Sequence, residues 1–188
     1  MNNIQLIIRD ILSIGGTNLY LVVLTDVDAT RQISVVCDKT AQQLLNLRFP
    51  DPKAVTATML PEVLCNLMPV LKSDLFYLFI SDIKDGHYEC YLKDNSETVH
   101  IKILITDALL LSLVSGMKIF IEPRLLQLQS VKYVPGKHTM QLPVNALSTD
   151  MLKKALSDAV SQEDYEQASR IRDEISKREG KTPDKSNG

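Results

Sequence analysis

Asp107 is an acid that could line a functional site, and it follows Thr106 where an apolar helix is predicted to begin. A carboxylate can accept a proton from water or hold a metal ion, and the amino end of a helix binds phosphate through its free N–H groups. The position also has a structural explanation, because an acid in the first turn of a helix interacts favourably with the helix dipole. The sequence leaves both interpretations of Asp107 open.

A second group of polar side chains follows the Asp85-Gly86 turn signal. Strand alternation places His87 and Glu89 on the same face, where they could share a metal ion or a proton. A solvated face of a β-hairpin explains the same pattern, and both explanations stay open. The sequence contains no G-x-S-x-G, H-E-x-x-H or glycine-rich phosphate-binding motif, so none of these signatures identifies a reaction.

The three cysteines, Cys37, Cys65 and Cys90, are widely spaced and form no C-x-x-C pair. Their odd number and spacing exclude a disulfide framework and a cysteine-rich zinc site. Each lies among apolar residues, which predicts a small buried side chain. Free thiols are typical of a reducing compartment, and the first 14 residues carry Arg9 and Asp10 without a cleavage pattern, so we expect a cytoplasmic protein without a signal peptide.

Length and composition predict a globular chain with a buried core. The 188 residues are 45% hydrophobic and 23% charged, with a formal net charge of −2, which is ordinary for globular domains. No apolar run approaches the roughly 18 residues that a membrane helix needs, so we expect no membrane partner. Neither half of the chain is basic, so composition argues against a general nucleic-acid binder and leaves room only for a small local basic groove.

The elements that must position these residues are strands and helices that come in blocks. Turn signals at Gly15-Gly16 and Asp85-Gly86 separate apolar, β-branched runs. Asp38 and Thr40 are expected to open a short helix, Thr106 is an expected helix cap, and Ser115-Gly116 is a helix end. Blocks without strict alternation predict an α+β fold with a mixed or antiparallel sheet and a few packed helices. The predicted strands are residues 4–12, 18–25, 31–36, 75–83, 87–93 and 98–104.

Two short amphipathic helices are predicted in residues 149–179, where apolar residues recur at helical spacing. About 30 residues cannot bury enough apolar surface to be stable alone, so this hairpin must pack on another body, which is the first domain, a second copy of the chain or a different protein. The chain therefore divides into four predicted segments. They are an α+β domain in residues 1–133, a linker in 134–148, the helical hairpin in 149–179 and a disordered tail in 180–188.

The hairpin contains the stretch EDYEQASRIRDEI at residues 163–175. Its acidic turn, aromatic residue, Glu-x-Ala-small and Arg-Asp before an aliphatic residue closely resemble the UVR motif of the excinuclease B and C subunits. In that family the motif is a helical hairpin that pairs with another copy. The resemblance implies a homo-oligomer or a complex with another UVR-containing protein. The residues expected to mediate it are Leu152, Leu156, Tyr165, Ala168, Ile171, Arg172, Asp173 and Ile175.

Four stretches of the first domain, residues 35–41, 56–60, 80–88 and 106–109, follow one another in the order of a known family pattern. They resemble the bifunctional nuclease family, whose members are associated with DNase and RNase activity. The resemblance implies hydrolysis of DNA or RNA and a divalent metal, Mg²⁺ or Mn²⁺. It places the catalytic residues at Asp107 and Thr56, with Lys53 nearby to bind the substrate.

Several polar positions depart from that family pattern. Thr40 stands where the family has glutamate, and Ala57-Thr58 stands where it has His-Asp. Leu104-Ile105 replaces Arg-Pro. Hydrolysis of a phosphodiester usually needs carboxylates or histidines that hold a metal or activate water. Two functions therefore stay open: a nuclease, and a non-catalytic scaffold that recruits a partner through the UVR-type hairpin.

Overall fold

The computed structural model describes residues 3–14, 19–49, 51, 58–72, 74–135, 147–161 and 163–180. The chain divides into two compact units, which are described separately. The first contains Met1–Ile83 and Tyr88–Met140, and the second contains Lys84–His87 and Gln141–Gly188. The predicted linker and tail lie for most of their length outside the described residues, so the predicted segment boundaries stay a prediction.

Eight strands form one mixed sheet with packed helices, which confirms the predicted α+β class. The strands are β1 (Ile4–Ser13), β2 (Tyr20–Asp26), β3 (Arg31–Cys37), β4 (Phe76–Lys84), β5 (His87–Asp94), β6 (His100–Ile103), β7 (Ile119–Ile121) and β8 (Val131–Lys132). The helices are α1 (Lys39–Asn46), α2 (Leu60–Leu67), α3 (Ile105–Ser115), α4 (Pro123–Gln129), α5 (Thr149–Ser161) and α6 (Tyr165–Arg178), with a 3₁₀ turn at Pro69–Lys72.

The strands lie in the order β6-β5-β4-β7-β1-β2-β3-β8. β1 to β3 form an antiparallel meander. β1 also pairs antiparallel with β7, and β7 pairs parallel with β4. The short strand β7 therefore lies between the meander and the block formed by β4, β5 and β6, a placement that the sequence did not predict.

The core of the first unit lies on one face of the sheet, against α1 to α4. Leu78 and Ile80 of β4 and Ile119 and Ile121 of β7 alternate toward this face and are buried. Helix α3 is apolar around most of its circumference, and its residues 108–111 are all buried. A helix of this composition is stable only inside a core, so α3 holds a fixed position against the sheet.

Turn and helix-end signals at three places form as the sequence predicts. Asp38 is the N-cap of α1 and accepts a hydrogen bond from the Ala41 N–H at 2.8 Å. Gly116 ends α3 in the left-handed conformation, with φ of 79°. Asp85 and Gly86 both have positive φ, at 47° and 75°, as a type I′ hairpin turn requires.

The second unit contains the helical hairpin formed by α5 and α6, which pack together. Leu152 and Ile171 are fully buried, and the small residues Ala159 and Ala168 are also buried. Small side chains allow the two helix backbones to approach closely, so these four residues are buried without a second protein chain. Among the helices that the structure describes, none combines the length and apolar character needed to cross a membrane.

Candidate functional site

The amino end of α3 carries Asp107, the acid that the sequence singled out. Asp107 is exposed and lies in the first turn of the helix. The expected N-cap role of Thr106 is wrong, because Leu104 is the N-cap and Thr106 already lies within the helix. The extended backbone of Leu104, with φ of −63° and ψ of 140°, lets the helix begin at Ile105.

A leucine cap leaves the first N–H groups of α3 without a side-chain acceptor from the cap residue. Leu104 has no side-chain oxygen, so it cannot accept hydrogen bonds from the first N–H groups of α3. Those donors and the exposed Asp107 carboxylate are the part of the predicted hydrolytic site that the structure describes. Thr56 and Lys53, the other two predicted site residues, lie outside the described residues.

The other polar cluster predicted from sequence does not converge on a shared ligand. The His87 ring Nδ1 lies 2.9 Å from the Asp85 carbonyl oxygen, whereas the Glu89 carboxylate accepts a hydrogen bond from Lys102 Nζ at 3.1 Å. Among the described residues, no three His, Cys, Asp or Glu side chains lie close enough together to hold a metal ion. The described acids and histidines therefore form no complete set of protein ligands for the divalent metal that the resemblance implies.

The most deeply buried charge is a residue that sequence reasoning missed. Arg48 is fully buried, and its Nε and Nη2 atoms donate to the two carboxylate oxygens of Glu62 at 2.6 and 2.9 Å. Its Nη1 donates to the Leu44 carbonyl oxygen at 2.7 Å. The Arg48 guanidinium holds the pKa of Glu62 below its ordinary value. This two-point ion pair joins the end of α1 to α2, and neither residue falls in a sequence pattern that predicts it.

The second unit contains a polar clasp around the turn residue Asp85. The Asp85 carboxylate accepts hydrogen bonds from the hydroxyl and the N–H of Thr149, the latter at 3.2 Å, and from Arg178 Nη1 at 3.3 Å. Arg178 also donates to the Leu147 carbonyl oxygen at 2.5 Å. The Thr149 hydroxyl, followed by the Thr149 N–H and Arg178, holds the pKa of Asp85 below its ordinary value. A β-carbon at Gly86 would lie 2.1 Å from the same Leu147 oxygen, so only glycine fits there.

The eight predicted interface residues of the hairpin differ sharply in exposure. Leu152, Ala168, Ile171 and Ile175 are buried, and Leu156 is half-buried. Arg172, Asp173 and Tyr165 are exposed. Tyr165 is 69% exposed, and Val160, near the end of α5, is 53% exposed. The buried members stabilise the hairpin, whereas the exposed apolar residues lie beside the α5–α6 connection, where a partner can reach them.

The cysteine thiols have a structural role. All three are free and buried, as the sequence predicted. Burial raises the pKa of Cys37 to about 11 and that of Cys90 to about 12, and it also raises the pKa of Cys65. Only the thiolate is nucleophilic, so these side chains are chemically inert near neutral pH.

Comparison with known proteins identifies two regions. Residues 22–133 match a family model described as the bifunctional nuclease domain. Residues 150–179 match the UvrB/uvrC motif. The two matches occur in the order that the sequence resemblances gave, and the first covers more than half of the chain. A search of curated proteins finds no match.

Proposed function

Because this chain belongs to the bifunctional nuclease domain family, we propose that it hydrolyses phosphodiester bonds of DNA or RNA and that its UVR hairpin recruits a partner. The observation that supports hydrolysis is the exposed Asp107 at a helix end without a side-chain cap, within the matched region. The N–H groups there can bind the non-bridging oxygens of a phosphate. Asp107 can remove a proton from the attacking water.

The proposed reaction is a simple displacement at phosphorus. The water oxygen forms a bond to phosphorus, Asp107 takes the water proton, and the bond from phosphorus to the leaving sugar oxygen breaks. That oxygen then takes a proton from solvent. The described residues around Asp107 do not form a set of metal ligands, so no step here depends on Mg²⁺ or Mn²⁺.

Incubating the purified chain with single- and double-stranded DNA and RNA tests this proposal. Parallel reactions with Mg²⁺, with Mn²⁺ and with a chelator show whether a metal is needed. We expect Asp107→Asn to lower the rate by about 10²- to 10⁴-fold, the usual contribution of a general base. Asp150→Asn is the matched control, because Asp150 is also an exposed acid in the first turn of a helix. Equal rates in the two variants, or no cleavage by the native chain, would refute the assignment.

The UVR hairpin is proposed to pair with a second copy of this chain or with another UVR-containing protein. The supporting observation is that Tyr165 and Val160 remain exposed where the two helices connect. Burying such side chains contributes roughly 1.5–3 kcal/mol each, which is enough for a weak complex. If cleavage is absent while association occurs, the chain acts as a scaffold, the other function that the sequence left open.

Light scattering over a range of protein concentrations tests self-association. We expect Tyr165→Ser to shift the chain toward the monomer mass, because it removes an exposed apolar contact without opening a cavity in the hairpin. Leu128→Ser is the control, since Leu128 is equally exposed but belongs to the first unit. A monomer mass for the native chain at every concentration would exclude pairing with a second copy.

A further inference from the structure

One face of the sheet in the first unit carries aromatic rings where polar side chains are usual. Strands β4 and β7 place Leu78, Ile80 and Ile119 toward the core, so alternation directs Tyr77, Phe79 and Phe120 to the opposite face. We call this surface the aromatic face. Its members are Tyr77, Phe79, Tyr91 and Phe120, with Lys93, His100 and Lys102.

The aromatic rings contact one another across two pairs of neighbouring strands, β4 with β7 and β5 with β6. Phe79 and Phe120 are direct partners in the β4–β7 register. The Tyr77 and Phe120 rings lie edge to face, with centroids 5.7 Å apart. On β5 and β6, the Tyr91 and His100 rings are also edge to face at 4.4 Å. All four Phe and Tyr side chains are half-buried, so part of each ring remains accessible.

Cationic side chains are interleaved with these rings. Lys93 Nζ lies 4.8 Å above the centre of the Phe79 ring. In the β5–β6 register, Tyr91 lies opposite Lys102 and Lys93 lies opposite His100. Lys102 is 64% exposed and pairs with Glu89 at 3.1 Å. The Glu89 side chain is only 18% exposed, so of the two partners it is Lys102 that an anion from solvent can reach.

The composition of this face is unusual for this chain. The sequence has only ten Phe and Tyr residues and no Trp. Four of the ten lie on the adjacent strands β5, β4 and β7, with their side chains on the face opposite the core. The solvent-facing side of a sheet normally carries polar residues. Flat rings alternating with lysines match the chemistry of unpaired nucleotides, which offer an aromatic base and an anionic phosphate in turn.

We propose that the aromatic face binds single-stranded nucleic acid, with bases stacked on Tyr91 and Phe120 and phosphates contacted by Lys93 and Lys102. In a duplex the faces of the bases are already stacked on each other, so this surface discriminates against double strands. The inference goes beyond the proposed function, because it requires binding and does not require hydrolysis or Asp107. Stacking carries most of the affinity, which is compatible with a chain that is not basic overall.

Fluorescence anisotropy with a labelled oligothymidylate, in the presence of chelator, tests this proposal on the full chain. We expect the single strand to bind and a duplex of equal length to bind at least tenfold more weakly. The slope of log affinity against log salt should be shallow, about −1.4 for two neutralised phosphates. Equal affinity for single strand and duplex would overturn the proposal.

Conservative variants assign the binding to this face. Phe120→Leu and Tyr91→Leu keep an apolar side chain but remove the ring, and each should weaken binding by roughly 5- to 150-fold. Lys93→Gln should weaken binding and reduce the salt slope by about 0.7. Tyr133→Leu and Lys132→Gln lie elsewhere on the first unit and serve as controls. Far-UV circular dichroism should be unchanged in every variant.

Two results separate this inference from its alternatives. If the ring variants bind the oligonucleotide like the native chain, the aromatic face is not the site. If they instead change the oligomer mass in light scattering and no oligonucleotide binds, the face contacts a second copy and the proposal is wrong. Binding without cleavage would support this inference while refuting hydrolysis, so the two proposals fail separately.

Discussion

Removing one partner of the buried ion pair between Arg48 and Glu62 should greatly lower the free energy of unfolding, whereas removing both should not. Glu62→Gln keeps the volume of the side chain but removes its charge. Arg48 is 0% exposed, so its guanidinium would then be left without a counter-charge in the core. Breaking a buried pair in this way typically costs about 3–5 kcal/mol. Glutamine can still accept one hydrogen bond, so we expect a loss near the lower end, about 3 kcal/mol.

The pH dependence of stability provides an independent check on the same pair. Hydrogen bonding to Arg48 lowers the pKa of Glu62 in the folded chain below its ordinary value of 4.5. A group with a lowered folded pKa stabilises the fold above its unfolded pKa and loses that effect as pH falls through the folded value. The native chain should therefore lose stability below about pH 4.5, and Glu62→Gln should show a smaller loss over the same range.

Urea unfolding followed by far-UV circular dichroism suits this chain, because it has no tryptophan to serve as a fluorescence probe. Asp74→Asn is the control, since Asp74 pairs with Lys118 at 3.3 Å on the surface and should change stability by less than about 1 kcal/mol. The double variant Arg48→Met/Glu62→Met should recover most of the loss, because it removes both charges. A loss below 1 kcal/mol for Glu62→Gln would refute the reasoning.

Three further predictions follow from positions with specific chemistry. Gly86→Ala should destabilise the second unit, because a β-carbon at this position would lie 2.1 Å from the Leu147 carbonyl oxygen and the backbone φ there is 75°. Faster proteolysis of the α5–α6 hairpin would show this. Asp94→Asn should reduce hydrogen-exchange protection of the Val99 N–H, which donates to the Asp94 carboxylate at 2.9 Å. Hydrogen bonds lower the pKa of Asp94, so the native chain should keep that protection until the pH is well below 3.8. The three thiols should react with a disulfide reagent only after unfolding, since burial raises their pKa.

The parts of the fold that the sequence predicted are those specified by the chemistry of one or two residues. Asp85-Gly86 forms the expected turn because glycine and aspartate tolerate positive φ. Asp38 caps α1 because its carboxylate reaches an N–H three residues later. Thr106 has the same capping chemistry, but packing of the apolar helix α3 begins that helix earlier, at Ile105. Tertiary packing there overrides the local signal.

The unpredicted parts depend on residues that are distant in sequence. β7 has only three residues, and its place between β4 and β1 follows from core packing rather than from any local pattern. The Arg48–Glu62 pair likewise joins the turn that follows α1 to helix α2, across an intervening segment. Of the predicted hydrolytic site, Asp107 is placed at a helix end, while Thr56 and Lys53 lie outside the described residues. The aromatic face became visible only once the register aligned Phe79 with Phe120.

The position of β1 determines where this chain can be shortened for expression. The family match begins at residue 22, inside β2, so a fragment designed from that match would omit β1. That strand is hydrogen-bonded to β2 on one side and to β7 on the other. Its loss would separate the sheet into two parts and expose two new apolar strand edges, which invite aggregation. A soluble fragment of the nuclease domain should therefore start before Ile4.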